Sequence, residues 1–183
     1  FCPDCRAERR FIWRNERTLY KRKCDLCSKN VIGIYPEKTL FPVYCYECWY
    51  GDGWDPASYS TDYDSSVPFF EQFKTLVNTV PRLASWVVAS TNSEYTNQSY
   101  FNKNTYLSFA LRDSENIFYA GRTMAIKNST DVTYTHYSDK LYDTVNVEKS
   151  YNSSHIYDSE GIVDSFFVSS SRNCTNCFGA INL

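Results

Sequence analysis

The sequence contains only two histidines, His136 and His155, and both lie in its second half. Zinc-finger nucleases need histidines close to the finger, so the absence of histidine before residue 136 excludes that class. The chain also lacks the Gly-x-Ser-x-Gly, His-Glu-x-x-His and glycine-rich phosphate-binding patterns of common hydrolases, metalloproteases and nucleotide-binding proteins. These absences argue against an enzyme.

Long hydrophobic runs are missing as well. No stretch approaches the roughly 18 consecutive apolar residues of a membrane-spanning helix, and no signal-peptide pattern opens the chain. The single methionine is Met124, so we expect an internal fragment or a processed product. Free thiol pairs favour a reducing, cytoplasmic location, whereas Asn-x-Ser/Thr sequons leave a surface location open. The sequons begin at Asn97, Asn128, Asn152 and Asn173.

Cysteine, by contrast, is abundant and paired. All eight cysteines belong to Cys-x-x-Cys pairs. Three pairs lie close to the start of the chain and one near the other end: Cys2/Cys5, Cys24/Cys27, Cys45/Cys48 and Cys174/Cys177. Two such pairs supply the four thiolates of a closed tetrahedral zinc site, which builds structure and performs no chemistry.

Cys24, Cys27, Cys45 and Cys48 have the spacing of one zinc site. Residues 24–29 have the shape of a zinc knuckle, a tight turn whose backbone amides point at the thiolates. We predict a hairpin of strands 31–35 and 40–44, joined at residues 36–38, that delivers the second pair. Zinc is therefore the predicted cofactor.

Cys2 and Cys5 precede a predicted helix over residues 6–22, whose length would carry them away from Cys24. We expect this pair to complete a second zinc site whose other half lies upstream. The alternative is a disulfide between the two.

Residues 6–23 carry a strong positive charge. Eight cations stand there against Glu8 and Glu16: Arg6, Arg9, Arg10, Arg14, Arg17, Lys21, Arg22 and Lys23. Such a segment points to an acidic partner, either nucleic acid or an acidic protein face, although a solvated helix face explains it equally well.

Aromatic residues crowd positions 44–54 beside several aspartates, which repel phosphate, so we predict that they pack around the zinc module. Farther on, Phe69, Phe73 and Val80 mark a helical face with apolar residues recurring at three and four positions. We predict a helix capped by Ser66 and stopped by Pro81, with this face buried in a core.

From about residue 93 the sequence becomes a series of short polar segments that each end in an apolar residue, such as 114–117, 129–132 and 138–141. We predict a parallel β-solenoid with coils of about 18 to 27 residues. Asn and Ser would occupy the corners, while Ile, Val, Leu and Tyr fill the interior. A β-sandwich would need longer alternating strands. Cys174 and Cys177 fall within one of these polar segments. They are either small core residues or a metal site.

Several of these segments resemble a family of uncharacterised zinc-ribbon proteins found in metagenomic genomes of candidate-phylum bacteria. The similar segments are residues 2–6, 14–24, 43–49, 54–56, 68–73 and 173–183. The resemblance spans nearly the whole chain. It implies a zinc module followed by a repeat rich in Cys, Tyr and Asn, although this chain has few cysteines in its repeat. It implies no activity.

The predicted fold is mainly β with some α, with a zinc-ribbon or treble-clef-like module over residues 1–60, a helical linker over 61–92 and a β-solenoid over 93–183. We expect a non-catalytic structural or protein-interaction module that binds another protein or itself. The alternative is a nucleic-acid-binding protein using residues 6–23. The less favoured alternative is a carbohydrate-active enzyme. Its acids and bases would come from Asp131, Asp139, Asp143, Asp158, Arg122 and Lys140.

Overall fold

The computed structural model describes residues 17–182, which form two compact units with their boundary between Trp86 and Val87. The fold is the mainly β arrangement predicted from the sequence, with a cysteine cluster in the first unit and a parallel β-solenoid in the second. Predictions for Cys2, Cys5, Arg6, Arg9, Arg10 and Arg14 lie outside the described residues.

Over residues 17–86, the first unit combines short strands with two helices. Its elements are β1 (Tyr20–Lys23), β2 (Asn30–Gly33), β3 (Val43–Tyr44), α1 (Tyr46–Tyr50), a 3-10 turn (Pro56–Tyr59), α2 (Phe69–Thr79) and β4 (Arg82–Leu83). β1 and β2 form an antiparallel hairpin, while β3 pairs in parallel with β4. Two sequence predictions are therefore wrong. Residues 20–22 belong to a strand and not to a helix, and β2 pairs with the strand before it and not with β3.

Helix α2 forms where the apolar spacing predicts it, but its surroundings differ from the prediction. Pro68 stands at the N-cap, Ser66 supplies no capping bond, and no residue of the helix is fully buried. Phe69, Phe70 and Phe73 instead form an exposed aromatic cluster, with the Phe69 and Phe73 rings stacked 5.9 Å apart. The expectation that this face belongs to a core is wrong.

The second unit is a parallel β-solenoid of about seven turns. Its strands are β5 (Val87–Val88), β6 (Thr96–Tyr100), β7 (Lys103–Tyr106), β8 (Ser108–Arg112), β9 (Glu115–Met124), β10 (Lys127–His136), β11 (Asp139–Glu148), β12 (Tyr151–Glu160) and β13 (Phe166–Ser169). Parallel pairing places Lys127 beside Asp139, and Asp139 beside Tyr151. The coil that begins at Lys127 therefore ends just before Asp139, and the coil that begins at Asp139 ends just before Tyr151. Bonds between equivalent positions of adjacent coils, such as Ser150 to Ser138, join residues twelve apart. The prediction of longer coils is wrong.

A three-residue period governs every coil. Each third residue from Ser93 to Cys174 is buried, and the residue before it, from Gln98 to Asn182, has a positive φ. A left-handed residue turns the chain sharply, so each coil has four sides of three residues around one inward side chain per side. Asn and Asp, which tolerate this conformation best, recur at these corners, as at Asn104, Asn116 and Asn128.

Serine, threonine and aliphatic residues share the interior. Leu111, Ile117, Ile126, Ile156 and Ile162 belong to one apolar core. The inward serines satisfy the backbone of neighbouring coils, since a buried N–H without a partner is costly. Ser138 Oγ donates to the carbonyl of His136 (2.7 Å) and accepts from the N–H of Ser150 (3.0 Å). Ser150 Oγ then donates to the carbonyl of Glu148 (3.3 Å) and accepts from the N–H of Ile162 (3.2 Å).

The side chains of two residue types thus point the opposite way from the sequence prediction. Serines such as Ser114 and Ser129 point inward, although serine was assigned to the corners. Tyrosines such as Tyr119, Tyr134 and Tyr142 point outward, although tyrosine was assigned to the interior. A three-residue side leaves room inside for small or branched side chains, which explains both differences.

Candidate metal centre

The turn between β1 and β2 presents the first cysteine pair. The backbone N–H of Cys24 donates to the carbonyl of Lys29 (2.9 Å), and the N–H of Ser28 donates to the carbonyl of Cys24 (2.9 Å). Ser28 adopts a left-handed conformation with φ 61° that closes the turn. This compact loop holds the Cys24 and Cys27 side chains on the same side, as the zinc-knuckle prediction required.

The second pair lies where β3 passes into α1. Cys45 is the N-cap of the helix, and its carbonyl accepts the N–H of Trp49 (2.9 Å). Cys48 lies in the first turn, so the helix geometry brings its thiol back toward that of Cys45. A strand end followed at once by a helix therefore fixes both thiols from backbone geometry alone.

The four thiols converge. The Sγ atoms of Cys24, Cys27, Cys45 and Cys48 all lie within 4.8 Å of one another, and the Cys27 and Cys45 sulfurs are 3.8 Å apart. Cys24 and Cys45 are buried, Cys48 is half-buried and Cys27 is exposed. The structure therefore brings together the two pairs that the spacing assigned to one site.

Backbone amides and burial act in opposite directions on these thiols. Burial raises the pKa of Cys24, but hydrogen bonds from the amides of Cys27, Cys45 and Leu26 outweigh it and lower that pKa to about 7. The Cys45 N–H lies 3.2 Å from Cys24 Sγ. Burial raises the pKa of Cys45, because the Cys48 amide offsets only part of the cost of desolvating a second thiolate. A cation among the sulfurs would supply the missing compensation.

An ion pair between a buried arginine and an exposed aspartate ties the two half-sites together. Arg22 Nη2 lies 2.7 Å from Asp25 Oδ2, and the same carboxylate oxygen accepts the backbone N–H of Val43 (2.7 Å). Arg22 Nη1 also donates to the carbonyl of Pro36 (2.7 Å). Asp25 follows Cys24 and Val43 precedes Cys45 by two residues, so this network sets the distance between the pairs. Sequence reasoning assigned Arg22 to partner binding, which is wrong because its side chain is buried.

Aromatic rings cover the cluster, as predicted. Tyr44, Trp49 and Trp54 pack against Cys24 and Cys45 in one apolar group. The Trp49 and Trp54 ring centroids are 4.9 Å apart, and Trp54 Nε1 donates to the carbonyl of Trp49 (3.0 Å). These rings shield one side of the sulfurs from water, which strengthens any interaction with a cation.

The donor set defines what the site can hold. Four sulfur ligands without an oxygen or imidazole suit a soft or borderline metal ion in tetrahedral geometry, and leave no open position for a substrate. The residues therefore fit a structural metal ion.

The predicted basic site is only partly described. Arg17, Lys21 and Lys23 are exposed, whereas Arg22 is buried between them. The two lysines point outward from β1 because side chains alternate along a strand.

Four of the solenoid residues considered for catalysis contact neighbours in adjacent coils. Asp139 accepts from Asn128 (2.9 Å), Arg122 donates to the Tyr134 hydroxyl (2.6 Å), and Lys140 donates to that of Tyr151 (2.9 Å). Asp158 accepts a hydrogen bond from Asn146. Arg122 and Asp158 lie in one corner column, three coils apart, whereas Asp139 and Lys140 lie at another corner. The groups form inter-coil ladders.

Sequence reasoning named Asp143 among several possible acids but missed the polar and aromatic cluster around it. Its Oδ2 lies 2.8 Å from His155 Nδ1 and accepts the Tyr157 hydroxyl at 2.8 Å. The His155 ring stacks on Phe167 with centroids 4.7 Å apart, and Tyr142 meets its edge at 5.6 Å. The equal spacing from Asp143 to His155 and on to Phe167, one coil each time, is the signal that could have identified this column.

A scan of the chain against protein-family models finds no match, and a search of curated proteins finds no relative. The resemblance to a zinc-ribbon family therefore stays a prediction. Among residues 17–182, no helix combines the length and apolar character that crossing a membrane requires.

Proposed function

We propose that this chain is a non-catalytic structural or protein-interaction module whose first unit is stabilised by zinc. The observation that carries the proposal is the convergence of four cysteine sulfurs within 4.8 Å of one another. Zinc is the ion we assign, because it accepts four thiolates in tetrahedral geometry and has no redox chemistry that would damage them.

The small size of the first unit supports a stabilising role for the metal. Its described apolar core contains few fully buried residues, among them Cys24, Val43, Tyr44 and Cys45. A unit with so little core needs a metal or another cross-link to stay folded. We expect chelation to unfold this unit before the solenoid.

Metal analysis tests the proposal directly. The purified chain should contain one zinc ion per molecule at this cluster, and Cys45→Ser should abolish binding. Cys177→Ser is the matched control, since it removes a cysteine from the other unit and should leave the zinc content unchanged. A folded protein without metal would contradict the proposal.

The solenoid supplies the interaction surface in this proposal. Rings stand in a column along the coils, with Tyr142, His155, Phe167 and Phe178 in successive contact, and all of them except the half-buried His155 are exposed. Aromatic residues are enriched in protein–protein interfaces, and a contiguous exposed apolar patch on a protein surface commonly marks such an interface. The surface fits a protein partner or a second copy of the chain.

Sedimentation at increasing concentration tests self-association. Tyr142→Ser together with Phe167→Ser should abolish it if the aromatic column is the contact. Tyr137→Ser, which removes an exposed tyrosine from another side of the coil, is the matched control. An oligomer that forms equally well in all variants would place the interface elsewhere.

Nucleic-acid binding is the second candidate. The exposed Lys21 and Lys23 of β1 favour it, together with the positive charge of residues 6–23. Binding of this kind should weaken steeply with added salt, and should fall when Arg9, Arg10 and Arg14 are changed to Glu. Self-association that is indifferent to those changes favours the first function.

A further inference from the structure

The last cysteine pair lies in the solenoid coil of residues 171–182. Cys174 and Cys177 occupy inward positions on two consecutive sides and form a disulfide across the corner made by Asn176. Their Cα atoms are 6.3 Å apart, inside the range of roughly 4.4 to 6.8 Å that disulfides span. Neither sequence interpretation, two small core residues or a metal site, anticipated this bond.

The two sulfurs differ in accessibility. Cys174 is 5% exposed and belongs to the apolar core of the solenoid, whereas Cys177 is only half-buried at the edge of that core. Cys177 Sγ lies 3.5 Å from the carbonyl oxygen of Thr175, which is an exposed residue. A thiolate from solution therefore reaches the Cys177 sulfur first, and exchange requires such access.

The coil that contains the disulfide is joined to the coil before it by a regular set of backbone hydrogen bonds. The N–H of Phe166 donates to the carbonyl of Cys177 (2.9 Å), and the N–H of Asn176 donates to the carbonyl of Val163 (2.9 Å). The N–H of Cys177 also donates to Ser165 Oγ (3.0 Å). The disulfide lies within this coil and closes a very short loop, so it fixes the corner at Asn176 and does not tie the coil to its neighbour.

We propose that Cys174 and Cys177 form a reversible redox site whose substrate is a dithiol reductant. The thiolate of the reductant attacks the Cys177 sulfur, the bond between the two cysteine sulfurs breaks, and Cys174 leaves as a thiolate that takes up a proton. The second thiol of the reductant displaces Cys177, so the reductant becomes a disulfide while two electrons and two protons pass to the protein. Reduction loosens the corner at Asn176, while the hydrogen bonds to the preceding coil hold residues 171–182 in place.

Differential alkylation with amide hydrogen exchange tests the site in the full, metal-loaded chain. Oxidised glutathione should form the bond, and dithiothreitol without denaturant should open it. In a timed reaction with iodoacetamide, Cys177 should be labelled before Cys174. Exchange of the Asn176 and Cys177 amides should rise about tenfold on reduction, while residues 139–150 stay unchanged.

The variant Cys177→Ser supplies an independent check, because the Asn176 amide should exchange fast in it without any reductant. Zinc content, measured in parallel, separates this site from the cluster at Cys24 and Cys45. Three results would overturn the proposal: thiols that stay free under oxidised glutathione, a bond that resists dithiothreitol until denaturant is added, or equal exchange in both redox forms.

Discussion

Arg22 and Asp25 form an ion pair in which the arginine side chain is only 1% exposed and its Nη2 lies 2.7 Å from Asp25 Oδ2. The pair lies at the point where the chain enters the cysteine turn. Because the same carboxylate also accepts the N–H of Val43, the two cysteine pairs are placed by one shared acceptor. The geometry of the metal centre therefore depends on residues that are not ligands.

Replacing Arg22 should weaken the site without removing a ligand. Arg22→Ala leaves the Asp25 carboxylate and the Pro36 carbonyl without their cationic donor, and should lower the free energy of unfolding of the first unit by about 2 kcal/mol. Zinc affinity should fall as well. Denaturant unfolding and zinc competition measure both effects. Lys23→Ala, on the same strand but exposed, is the control and should change neither; equal losses in the two variants would contradict this account.

The inward serines should contribute more to the free energy of unfolding of the solenoid than their small side chains suggest. Ser150→Ala removes the acceptor of the Ile162 N–H and leaves that buried group unsatisfied, at a cost of about 1 to 3 kcal/mol. The outward-facing neighbour Ser154 provides a matched control, since Ser154→Ala leaves the interior intact. Urea unfolding followed by circular dichroism compares the two. If Ser150→Ala is as stable as the control, the hydroxyl ladder does not stabilise the solenoid.

The corner asparagines should separate backbone conformation from side-chain bonding. Asn116 has φ 57°, donates to Asn128 (2.8 Å) and accepts from Asn104 (2.9 Å). Asn116→Gly loses the amide bonds but keeps the left-handed turn, whereas Asn116→Ala loses both, at an additional cost of about 1 kcal/mol. Thermal unfolding should therefore rank the native chain above the glycine variant, and the glycine variant above alanine. The reverse order of the two variants would show that conformation does not limit these corners.

Asp143 should make the solenoid sensitive to acid. Hydrogen bonds from the Tyr157 hydroxyl and from His155 hold the pKa of Asp143 below its ordinary value of 3.8. Since the folded-state pKa is lowered, the stabilisation is complete above the ordinary value and is lost as the pH falls through the lowered one. Carboxyl titration by NMR should show this shift. Tyr157→Phe should return the pKa toward 3.8, and an unchanged titration in that variant would remove Tyr157 as the cause.

The cysteine cluster could be predicted from the sequence because its information is local. Two pairs of fixed spacing, each on a tight turn or a helix start, present their thiols through short-range geometry. The pairing of β2 could not be predicted in the same way, since β1 and β3 are both close in sequence and the choice between them is tertiary. The exposed face of α2 was missed for the same reason, because periodicity identifies an apolar face and not what covers it.

The solenoid could be predicted in kind but not in dimension. Every interval between the residues that end the short polar segments is a multiple of three. These residues are Thr105, Ile117, Val132, Leu141, Ile156, Ile162 and Cys174. The three-residue period could not be recognised from the serines. Serine usually indicates a turn, whereas in this coil its side chain points inward and forms hydrogen bonds. The corners were concealed as well, since Tyr134, Lys140 and Arg122 adopt a left-handed conformation that their local preferences disfavour.

The three-residue sides also determine which insertions and deletions the chain can absorb. Loss of a single residue from β11 would rotate every later side chain by one place, sending serines and isoleucines to the outside and charged groups to the inside. Loss of one whole coil, the stretch that separates Lys127 from Asp139, would instead rejoin equivalent positions. Natural variants of this chain should therefore differ in length by whole coils.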